Sequence, residues 1–244
     1  MKKCMIAASV LVLLISHNVT AGTDSAPGKK AESPARPDLS SPEKYFKAIT
    51  AIPASLSDEE AITLFYAADA AKALVEFDRA GSAGIRQLAL FKDAFRKRFP
   101  ERIIEEEANR IKVAAKWPQR KFETMSAAWS LNATLIGPQL RALKPENCSL
   151  VSAREEGGVV KATVKMAGRD KTMDLVREGA DLKLTVDATE LVKIKKINTV
   201  LARCTALLGN FCLELDKGAV TDQNYEAAIT RWEKEYMAVI NASQ

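Results

Sequence analysis

Two different apolar periods occupy successive stretches of this chain, and that change limits the fold more than any other feature. From Ile62 to Ile136 apolar side chains recur at spacings of three and four, the signature of helices with one buried face. After Pro145 they alternate. Val160, Ala162, Val164 and Met166 take one side, and Val159, Lys161, Thr163 and Lys165 the other. Met173 and Leu175 continue after a Gly168-Arg169-Asp170 turn; Leu182, Leu184 and Val186 follow Gly179-Ala180. Gly157-Gly158 marks the first hairpin, which makes Ser149–Arg154 a leading strand. From Thr189 the helical spacing returns. The expected fold is α+β: an N-terminal helical layer packed on a small four-stranded antiparallel sheet, followed by two C-terminal helices.

Local signals divide the helical stretches. Ser41-Pro42 opens a short helix through about Ile49, and Ser57 with Glu60 forms a capping box before a longer one. Ile62, Phe65, Tyr66, Ala70, Ala73, Leu74 and Phe77 make the apolar face of that helix, which Gly81-Ser82 is expected to end. Ile85, Leu88, Phe91, Phe95 and Phe99 form the next stripe. Pro100 and Pro118 open further helices, and Gly137-Pro138 closes the stripe of Phe122, Met125, Trp129, Ala133 and Ile136. Toward the C-terminus, Leu191, Ile194, Ile197, Leu201, Cys204 and Leu208 share one face. A last helix from about Thr221-Asp222 carries Tyr225, Ile229, Trp232 and Tyr236.

The first residues read as an export signal: Lys2-Lys3, an apolar run from Met5 to Ile15, and Val19-Thr20-Ala21 before Gly22. The reading is therefore a signal peptide over 1–21, a Pro- and Gly-containing disordered leader over 22–41, and a single α+β domain over 42–244, working in the periplasm or outside the cell.

That reading narrows the chemistry. The one histidine, His17, leaves with the signal, and with it go Ser-His-Asp and Cys-His nucleophile activation and His-containing zinc sites. No metal and no cofactor is expected. The net charge of +5 falls by the charges of Lys2 and Lys3, a balance that gives no electrostatic case for nucleic acid. Glu105-Glu106-Glu107 cannot converge on a metal from one helix, because consecutive residues point about 100° apart. An oxidising compartment makes one disulfide expected among Cys148, Cys204 and Cys212. Cys204–Cys212 is favoured if the chain reverses at Gly209-Asn210; on one helix the two would stand roughly 12 Å apart. Cys148 with either of them stays open.

The segment Leu175-Val176-Arg177-Glu178-Gly179-Ala180-Asp181-Leu182-Lys183-Leu184 resembles the last hairpin of exported domains with the nuclear-transport-factor-2-like (NTF2-like) fold, with Leu182 where a tryptophan is usual. The resemblance implies a cone whose sheet and helices enclose an apolar pocket. That family includes ligand binders, dimerisation modules and acid–base enzymes, and the fold alone does not choose among them.

Three functions follow as expectations. The first is an exported, non-catalytic binding protein taking a small apolar ligand or an envelope protein. The second is an acid–base enzyme: Asp69 falls among Ile62, Phe65, Tyr66 and Ala73 on a continuous helix, so Asp69 and Tyr66 would share an apolar pocket, as in some enzymes of the resembling fold. The competing reading has Asp69 paired with a cation or turned to solvent. The third is an assembly scaffold that self-associates through Tyr225, Trp232 and Tyr236 of the last helix, although the first reading of that stripe is a core-facing one.

Overall fold

Ser41 and Ser57 start the first two helices as their positions imply. In the computed structural model, which describes residues 36–101 and 135–242, the Ser41 side chain accepts the Lys44 N–H at the head of α1, Pro42–Ile49. Ser57 and Glu60 close a complete capping box on α2, Asp58–Phe65. The expected export signal, most of the expected leader, Glu105–Glu107 and the helices expected after Pro100 and Pro118 lie outside the described residues.

The chain leaves the helix at Tyr66, whose backbone is extended (φ −102°, ψ 150°), and re-enters it as α3, Ala68–Arg98. The expected single helix over this region is thus two. The interruption is stabilised from the sheet: Tyr66 bridges to Leu184, and the Ala67 N–H donates to the Leu184 carbonyl at 2.9 Å. Gly81-Ser82, expected to stop a helix, lies inside α3. A helical glycine costs only about 1 kcal/mol, less than burying any one of the phenylalanines this helix carries, Phe77, Phe91 and Phe95. The stripe that Gly137-Pro138 is expected to close lies, apart from Ile136, outside the described residues. Gly137-Pro138 itself sits in the first turn of α4, Ile136–Ala142, where the backbone N–H that proline lacks would have no partner within the helix.

The sheet follows the alternation closely. β1 (Cys148–Glu156), β2 (Val159–Met166), β3 (Arg169–Glu178) and β4 (Asp181–Leu184) lie in sequence order, all antiparallel. Val160 faces Leu175, and Leu175 faces Leu184, so the apolar rows align across strands. On the other face Lys161 opposes Asp174, Thr163 opposes Thr172 and Lys165 opposes Asp170, cross-strand pairs that suit a solvated surface. Gly157 and Gly158 both have positive φ (59° and 84°), as a two-residue hairpin turn requires. The second turn falls one residue earlier than expected, at Ala167-Gly168, and β4 ends at Leu184, short of Val186.

α5 (Ala188–Asp216) and α6 (Tyr225–Asn241) complete the chain, so the architecture is the expected α+β order of helices, four-stranded sheet and two C-terminal helices. Among the described residues the contacts form two compact units. One takes 36–78 and 135–194; the other takes 79–101 and 195–242. In the first, α1 packs on β1, and α2 on β4 and α4, burying Tyr45, Phe65, Ile136 and Leu175.

The second unit has an aromatic core. Phe211 stacks on Trp232 at 4.9 Å between centroids, Phe91 meets Trp232 edge-on at 5.8 Å, and Phe99 meets Tyr225 edge-on at 5.0 Å. Trp232 Nε1 donates to Glu214 at 3.0 Å, which satisfies the indole in the interior. The stripe proposed for self-assembly, Tyr225, Trp232 and Tyr236, is therefore core, each residue at most 1% exposed.

Candidate functional site

The residues singled out for acid–base chemistry do not meet. Tyr66 is buried, but Asp69 is exposed in the first turn of α3. The break at Tyr66-Ala67 is the reason. It removes Ile62, Phe65 and Tyr66 from the helical phase that placed Asp69 among them. Within α3 the buried stripe runs Ala70, Ala73, Leu74, Phe77 and Asp78. Asp69 lies roughly a third of a turn from its middle.

The carboxylate that does lie near Tyr66 is Asp78, buried and eight residues beyond Ala70 on that stripe. Its Oδ1 accepts the Ile136 N–H and its Oδ2 the Gly137 N–H, each at 2.7 Å. These are free donors at the head of α4, whose own N-cap residue, Leu135, has no side-chain acceptor. Asp78 thus caps α4 from a helix 58 residues away in the chain. Burial pushes its carboxyl up to about 6; the two amide bonds oppose this without cancelling it, and the nearby Asp58 and Glu59 push the same way as burial. Burial, and next the Asp78 charge, raise the Tyr66 phenol.

Other side chains make similar ties around the Tyr66–Leu184 junction. Lys183, buried on β4, donates from Nζ to the carbonyls of Leu64 and Thr63 at the C-terminal end of α2, where a cation also meets the negative end of the helix dipole. Burial holds its ammonium below the ordinary lysine range. The Tyr45 hydroxyl donates to the Phe65 carbonyl at 3.0 Å. Glu178, at the end of β3, accepts the Ala68 N–H at 2.9 Å and so caps α3. Arg141 on α4 donates from Nε to Asp58 at 2.5 Å, and its other nitrogens reach the Pro53 and Leu56 carbonyls. Four separate segments are bound by these contacts into the start of α3 and the two ends of α2.

Cys204 and Cys212 lie on one unbroken helix, because α5 runs straight through Gly209-Asn210. The reversal that a Cys204–Cys212 bridge needs is absent, and Cys148, Cys204 and Cys212 are all free thiols. Cys148 and Cys204 are buried, with thiols pushed up to about 11 by that burial, while the Gln87 amide donates to Cys212 Sγ at 3.3 Å. None has the depressed pKa of a reactive thiolate. Among the described residues, no cluster of three or more acidic, cysteine or histidine side chains is placed to hold a metal, and no helix is long and apolar enough to cross a membrane.

Sequence reasoning overlooked Asp78, Lys183, Glu178 and Arg141. Asp78 alone had a readable signal, its place four residues after Leu74 on an apolar stripe. The other three owe their roles to segments that approach only in the folded chain. No family model, curated protein or solved structure matches this chain.

Proposed function

We propose that this is an exported, non-catalytic protein whose role is to bind a ligand or a protein partner in the cell envelope or outside the cell. One observation carries the non-catalytic part. Among the described residues the buried charged side chains, Asp78 and Lys183, and the buried Thr50 hydroxyl each bond to the chain's own backbone. A catalytic acid or base has to be presented to a substrate; these groups hold helix ends together. The acid–base alternative needs Asp69 beside Tyr66, and the exposure of Asp69 removes its support. Export rests on the charged, apolar and small-residue segments before Gly22. The helix-then-sheet order and the Glu178–Asp181 hairpin agree with an NTF2-like relation for the unit that carries the sheet, which would make an apolar ligand the natural cargo.

Two measurements test this reading. Fractionation of producing cells with N-terminal sequencing should find the chain outside the cytoplasm and starting at Gly22; an intact N-terminus in the cytoplasm would refute export. Cross-linking in the intact envelope, followed by mass spectrometry of the purified chain, should give one reproducible protein adduct or co-purifying apolar molecule. Recovery of the bare chain under every condition would refute binding.

A further inference from the structure

We draw no further inference here: the strongest candidate, the side-chain cluster of buried Asp78 and Tyr66 with half-exposed Asp58 near the head of α4, already serves to tie that helix down, and any role for it beyond that tie would rest on the raised pKa of Asp78 alone.

Discussion

Asp69 and Asp78 are both carboxylates on α3, and their surroundings assign them opposite weights. Asp78→Ala leaves the Ile136 and Gly137 amides buried without an acceptor, which should cost about 2–4 kcal/mol in urea unfolding. Asp69→Asn, at an exposed position, should change stability by less than about 0.5 kcal/mol. Equal effects of the two would mean that Asp78 does not cap α4. Asp78 also sets a pH dependence. Its carboxyl is raised from 3.8 to about 6 on folding, so the folded chain holds this proton more tightly than the unfolded chain. The stability that follows is full below about pH 4 and is lost as pH rises through 6, up to ~3 kcal/mol by linkage. Carboxyls lowered on folding, such as Glu60 with its Ser57 bonds, run the other way and lose stability as pH falls. The difference between wild type and Asp78→Asn isolates the Asp78 contribution. That difference should shrink between pH 4.5 and pH 7.5; a constant difference would count against proton uptake at this residue.

At the scale of elements, two glycines in helices give opposite expectations. A Cβ on Gly137 would stand 2.2 Å from Asp58 Cβ, so Gly137→Ala must push α4 away from the start of α2. The expected cost is about 1–3 kcal/mol. At Gly209, inside α5, the nearest atom is the Gln87 side chain at 3.9 Å, an ordinary contact. Gly209→Ala should stabilise the protein by about 0.5–1 kcal/mol, because the helix is continuous there. Destabilisation at Gly209 would argue for a chain reversal. Alkylation under denaturing, non-reducing conditions should modify Cys148, Cys204 and Cys212 alike, whereas a protected pair would restore the bridge. The helix boundaries show why these outcomes needed a structure. The capping box at Ser57 is written within four residues and was legible. The break at Tyr66 was not, since its cause is the Leu184 strand edge, far away in the chain.

Across the whole molecule the two units are built differently. The unit with the sheet is held by aligned apolar rows together with side-chain ties to backbone groups. The helical unit is held by stacked and edge-on aromatic rings. Trp232→Ala should therefore cost about 3–5 kcal/mol, as expected for emptying a well-packed aromatic site. The same variant tests the assembly reading. A residue at an oligomer interface would lower the mass in solution on substitution with little loss of monomer stability; a core residue lowers the unfolding midpoint and leaves the mass of the folded fraction unchanged. The second result is expected, because Trp232 is 1% exposed within a single chain.

Local sequence was sufficient for the class of fold, the strand alternation, the hairpin glycines and the helix caps, because each depends on residues a few positions apart. The proposed export signal is also a reading of local sequence, and the exclusion of histidine chemistry rests on its removal together with His17. Tertiary structure decided what happens at Tyr66, at Gly81-Ser82 and at Gly209-Asn210, where a local preference of about 1 kcal/mol competes with burial of large side chains. It also decided which carboxylate is buried. Asp69 looked central only on an unbroken helix, and Asp78 takes that place because the chain breaks to meet Leu184 and then turns its stripe toward the head of α4.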